Sequence, residues 1–191
     1  MRLLLLLLIA LLPFVPASRG NEETPPAIVL EVDGFGKGAE HGVIVAVWPD
    51  GVIVWSGDQE KGGPPYRTGA VDAAKLRDFL ARLEKDGVFK KDADFLVHLG
   101  PDSDFHSILL RSGKKSVALR SWHELFEANP KLVVTSHGVT SLDGQKRDDL
   151  LRADKKEYQE FRKLWGEIRS FTKELIPKEG KPYKGELKLK E

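Results

Sequence analysis

Cysteine is absent from all 191 residues, so no disulfide can form and stability must come from packed apolar side chains. The same absence removes thiolate catalysis, cysteine zinc sites and a lipid-modified cysteine behind a leader. Charge of one sign is lacking too: 30 Lys and Arg against 29 Asp and Glu leave a net charge of +1. A general nucleic-acid binder needs a basic excess on one face, so no nucleic-acid partner is expected. Missing as well are the H-E-x-x-H helix of zinc peptidases and the G-x-S-x-G nucleophile elbow. Asp33-Gly34-Phe35-Gly36-Lys37-Gly38 fails as a phosphate-cradling loop, because its third glycine comes one place early and a strand signal follows. Ser136-His137-Gly138 does not make a triad, since triad partners meet in space rather than in sequence.

Long apolar runs are also scarce, with one exception at the start. Met1-Arg2 followed by Leu3 to Leu12, then Pro13 and the small residues Ala17 and Ser18, reads as a signal peptide over residues 1–18. The run is short for a bilayer span, so export without an integral membrane segment after cleavage is expected. Residues 19–26 read as a polar linker and 27–177 as a single domain. The stretch 178–191 reads as a basic tail, five Lys against three Glu, with a late strand on offer at Tyr183 to Leu189. About 170 mature residues suffice for one domain with a real core.

What is present centres on one hairpin. Val43 to Val47 and Val52 to Trp55 are β-branched runs flanking Pro49-Asp50-Gly51. Proline presets the first turn position and glycine can take φ > 0, which predicts a type I turn closed by a glycine bulge. Trp48 should then face Val52, Ala46 should face Val54, and Val45 should face Trp55. Simple alternation puts Ile44, Ala46, Trp48, Val52 and Val54 on one side, with Val43, Val45, Val47, Ile53 and Trp55 on the other. Both sides are apolar, so the hairpin is expected in mid-sheet with cover on each.

The cover comes from two amphipathic helices. Asp72 is a good N-cap, Leu76, Phe79, Leu80 and Leu83 form a stripe, and Gly87 suits a left-handed C-terminal stop, predicting a helix over 72–86. A longer stripe through Tyr158, Phe161, Trp165, Ile168 and Leu175 predicts a helix over 154–176, where Gly166 would allow close backbone approach. Strands are expected at 27–32, 66–69, 132–135 and 139–142, and a second hairpin at 105–111 and 115–120. Ser121-Trp122-His123-Glu124 matches a capping box and predicts a short helix. The fold class is therefore α+β: a mostly antiparallel sheet centred on a hairpin and packed against two long amphipathic helices.

The run of strand, D-G turn, strand, Tyr66-x-x-Gly69, amphipathic helix, Gly87-Val88-Phe89 and β-hairpin over residues 43–120 resembles a type of small exported bacterial domain of unknown function. The resemblance implies an α+β fold and a cell-envelope setting, and it carries over no active site.

Two groups of residues could carry function. Asp102, Asp104 and His106 place two carboxylates and an imidazole close in sequence, a set that could converge on a divalent metal. The ordinary alternative is turn chemistry, with Asx side chains capping the backbone. Trp48, Trp55 and Trp122 could form an aromatic platform for a glycan or peptide, with Trp55, Asp58, the Gly62-Gly63-Pro64-Pro65 loop and Tyr66 as its rim; the ordinary alternative is that the tryptophans are core. The favoured expectation is a non-catalytic exported binding module, without cofactor, for an envelope or extracellular protein or glycan. The alternative is a metal-assisted hydrolase built on Asp102, Asp104 and His106.

Overall fold

The Pro-Asp-Gly turn folds as its residues dictate. The computed structural model describes residues 24–33, 41–91, 105–122, 132–135, 138–141, 145–187 and 189. In it, β1 (Ile28–Asp33), β2 (His41–Val47) and β3 (Val52–Ser56) are antiparallel neighbours. Trp48 N–H donates to Val52 C=O at 2.8 Å, Gly51 N–H donates to Trp48 C=O at 3.0 Å, and Val52 N–H reaches Asp50 Oδ1 at 3.1 Å. Gly51 has φ +90°, a region closed to most side chains, so glycine completes the turn. Val45 stands opposite Trp55 and Ala46 opposite Val54, the register that the turn predicts.

The sheet grows outward from this hairpin. β4 (Tyr66–Ala70) pairs with β3. The second hairpin, β5 (Phe105–Ser112) and β6 (Lys115–Trp122), turns at Gly113 and joins β1 through β5. β7 (Leu132–Thr135) and β8 (Gly138–Ser141) form a separate pair. With β9 (Lys181–Pro182), the main sheet has the antiparallel order β6-β5-β1-β2-β3-β4-β9. Ser121 and Trp122, read as the start of a capped helix, are instead the last residues of β6, because pairing with His106 and Phe105 extends the strand. Residues 123–131 lie outside the described residues.

α1 (Ala73–Lys85) is punctuated as expected. Asp72 Oδ1 accepts the Ala74 N–H at 2.8 Å, Asp86 N–H returns to Arg82 C=O at 2.9 Å, and Gly87 takes φ +80°. α2 (Gln145–Leu175) starts earlier than the predicted helix and buries Leu164, Trp165 and Ile168. With two helices on an antiparallel sheet, the fold is α+β.

Both helices lie on the same face of the sheet, where one on each side was expected. Leu76, Leu80 and Leu83 of α1 share one core cluster with Leu164, Trp165 and Ile168 of α2. That cluster sits on Ile28, Leu30, Val45, Val47, Ile53, Trp55, Ile108 and Leu110. Phe79 of α1 stacks on Phe171 of α2 with ring centroids 3.8 Å apart, and Arg82 pairs with Glu167 at 2.5 Å. The reason is width. Seven strands at about 4.8 Å spacing span about 29 Å, whereas one helix covers only about 10 Å.

The two faces of β2 also depart from simple alternation. Leu30 pairs with Val45 but Glu31 pairs with Val43, so Ile44 is an extra residue in a β-bulge. Ile44 and Val45 therefore both join the helix-side core, and Val43 moves to the opposite face with Ala46.

Two glycines make opposite predictions. A Cβ at Gly166, on the exposed side of α2, would meet nothing within 4 Å, so no close approach requires glycine there. Gly166→Ala should stabilise the protein by about 0.5–1 kcal/mol through helix propensity. A Cβ at Gly180 would overlap the Trp55 ring, so Gly180→Ala should cost about 1–3 kcal/mol as overpacking. Urea unfolding of the two variants checks both signs.

Candidate binding surface

Residues paired across antiparallel strands share a face, and this parity separates the residues grouped by sequence. Trp55 pairs with Arg67, whereas Tyr66 pairs with Ser56, so Trp55 and Tyr66 lie on opposite faces. Trp55 is 6% exposed in the helix-side core, and its ring lies 3.4 Å from where a Cβ at Gly69 would stand. A ring sealed there packs the core and offers no platform to solvent.

Asp58 is exposed, yet it is aimed at its own loop. Its Oδ1 accepts the N–H groups of Lys61 and Glu60, each at 2.9 Å, and these bonds hold its carboxyl below the usual value of 3.8. The loop that was to form the rim is cross-braced. Ser56 donates its hydroxyl to Gly63 C=O at 2.5 Å, and Gly63 N–H donates to Val43 C=O at 3.0 Å. From α2, Arg169 donates to Gln59 C=O and pairs with Glu60 at 3.1 Å. Asp58 is a turn-holding residue.

His106 lies opposite Val32 on the helix side of β5 and is buried. Its ring stacks on Trp165 with centroids 4.1 Å apart, and Arg162 Nη1 stands 2.7 Å from Nδ1. A guanidinium can only donate, so Nδ1 accepts, and a metal at that nitrogen would meet a positive charge. Asp102 and Asp104 lie outside the described residues. Among the described residues, no group of three His, Cys, Asp or Glu is placed to share a metal ion.

The second sheet face is built differently from the helix side. Val29, Val43 and Ala46 form a small buried cluster in the pleat. Trp48, Tyr66 and Leu109 pack against it and stay partly exposed. Burial pushes the Tyr66 phenol above its ordinary value, a hydrogen bond with the Val43 backbone opposes that shift, and the Glu31 carboxylate adds to it. By register Glu31, Ser107 and Arg120 share this face, so polar and charged groups stand beside its apolar surface and the Tyr66 phenol.

The segment after α2 reaches this face through Leu187 and Leu189. After α2 the backbone passes the Trp55 ring at Gly180, whose carbonyl accepts from Arg67 Nη2 at 2.8 Å. β9 then pairs with the edge of β4, and Tyr183 N–H donates to Tyr66 C=O at 2.9 Å. Beyond it the stretch expected as a late strand forms none among its described residues, and Leu187 and Leu189 pack against the Val29, Val43 and Ala46 cluster. Fully burying a leucine is worth about 1.5–3 kcal/mol, while ordering each residue costs about 1–2 kcal/mol. Partly buried leucines therefore hold the segment only weakly. Of this surface the sequence points to Trp48 and Tyr66 and not to Leu109, Leu187 or Leu189; the leucine alternation within a charged tail was the available signal.

Two pH dependences follow. Tyr66 has a raised folded pKa, so above its ordinary value near 10 the unfolded chain loses the proton first and stability falls as pH rises. Tyr66→Phe should flatten that loss, read as the difference in urea midpoint between about pH 9 and about pH 11. Asp58 has a lowered folded pKa, so its contribution is present above 3.8 and fades as pH falls through the folded value. The gap in melting temperature between Asp58→Asn and the parent should narrow from about pH 5 to about pH 2.5. Compared with protein-family models, curated proteins and solved structures, the chain matches none of them.

Proposed function

We propose that this chain is an exported, non-catalytic binding module of the cell envelope, acting in the periplasm or outside the cell. Its partner is an envelope or extracellular protein or glycan, held on the second sheet face around Trp48, Tyr66 and Leu109. The observation that carries this reading is the partly exposed aromatic and apolar surface over Val29, Val43 and Ala46. Of the residues first grouped as a platform and rim, Trp48 and Tyr66 belong to that surface. Export rests on the leader signature of Met1 to Ser18, and among the described residues no helix is long and apolar enough to cross a membrane.

His106 speaks against the hydrolase alternative. His106 is stacked on Trp165 and engaged by Arg162, an arrangement that favours packing over metal ligation.

A thermal-shift panel of envelope glycans and peptides tests the proposal. A ligand at about 100 times its Kd adds about 2.7 kcal/mol, raising Tm by about 5–10 °C for a chain of this size. The shift should shrink in Leu109→Ala. A panel with no response, together with stabilisation by Zn²⁺ or Mg²⁺, would overturn the binding reading in favour of the hydrolase. Mass analysis of protein recovered from the periplasm should find about 18 residues removed if the leader is cleaved as proposed.

A further inference from the structure

The sequence that carries Leu187 and Leu189 has a pattern of its own. Glu186-Leu187-Lys188-Leu189-Lys190 alternates charged and apolar residues. In an extended chain, alternate side chains point to one side, and Leu187 and Leu189 are the residues packed against Val29, Val43 and Ala46. Upstream, the tail is fastened by main-chain bonds: β9 on β4, then Tyr183 N–H on Tyr66 C=O. Within the tail the Tyr183 hydroxyl donates to Glu186 C=O at 3.2 Å. Leu187 and Leu189 meet the face through apolar contact, which recognises spacing and shape more than a particular sequence.

Tethering explains why so slight a contact stays filled. A segment anchored a few residues away faces the groove at an effective concentration in the millimolar range, so weak affinity suffices in cis. A free segment with the same spacing would compete for the same surface. The geometry points to a docking groove for an extended strand of another protein, apolar at alternate positions in a leucine-x-leucine pattern, which the chain's own Leu187 and Leu189 occupy in its absence. This inference rests on the second face being the binding surface, and it names the class of partner.

The test keeps the full chain and releases the tail by substitution, Leu187→Ser with Leu189→Ser. The probe is a fluorescent peptide with the sequence of residues 183–191. The peptide should bind the double variant at least about ten-fold more tightly than the parent, whose tail competes in cis. A peptide carrying both serines should not bind, and adding Leu109→Glu to the double variant should abolish binding. Equal affinity for parent and double variant, or binding by the serine peptide, overturns the inference.

If the double variant does not unfold cooperatively, the parent chain is used with excess peptide bearing a photoreactive group in place of the first leucine. Crosslinks to residues 43–48, 66 or 109 support the groove, and crosslinks confined to other regions overturn it. A parent chain that sediments as a dimer with exchanged tails assigns the groove to a second copy and overturns the partner class. Peptide binding without any hit in the envelope panel leaves the groove standing and removes the envelope role. A panel hit that Leu109→Ala weakens, with no peptide binding, does the reverse.

Discussion

Apolar rows on one side of the sheet need more cover than a single helix offers, and the rest of the molecule follows from that requirement. Val45 and Val47 of β2 lie at the middle of the sheet, with Ile53 on one flank and Ile28, Leu30, Ile108 and Leu110 on the other. α1 and α2 must lie side by side to bury so wide a surface. The Phe79–Phe171 stack and the Arg82–Glu167 pair are where they meet. His106 is drawn into the same layer, its imidazole flat on Trp165 and its Nδ1 taking a hydrogen bond from Arg162. A buried nitrogen satisfied in this way belongs to the packing.

With both helices spent on one face, the other face is left with a thin layer. The bulge at Ile44 sharpens the difference by sending a second large residue to the helix side and returning Val43 to the thin side. The thin side keeps a buried strip of Val29, Val43 and Ala46, bordered by partly exposed Trp48, Tyr66 and Leu109. On its way there the tail passes close over the Trp55 ring at Gly180, where a Cβ would overlap the ring, and pairs with the edge of β4. Core packing and the candidate surface are therefore joined through Trp55, although that residue is itself buried away from solvent.

Much of the fold was legible because its signals are local. The Pro-Asp-Gly turn set the hairpin register, Asp72 and Gly87 marked the ends of α1, and Gly113 marked the second hairpin. The candidate surface was legible only in Trp48 and Tyr66. Grouping Tyr66 with Trp55 and Asp58 relied on nearness along the chain, whereas pairing of Ser56 with Tyr66 puts the Trp55 and Tyr66 rings on opposite faces. The capping-box residues Ser121 and Trp122 show the same limit, since a ladder to β5 outweighs a local helix signal.

By itself the sequence determined the α+β class, the absence of disulfides, the turn chemistry and the apolar stripe of each helix. These depend on residue type and spacing within about twenty residues, where backbone geometry and burial act directly. Tertiary structure decided the remainder: that both stripes face the same side, that Ile44 bulges, that Trp55 is sealed, and that Leu187 and Leu189 lie on the opposite face. Each of these depends on which strands become neighbours and on the path between them. The physical reason is that an apolar stripe states that it must be buried, and it does not state against what.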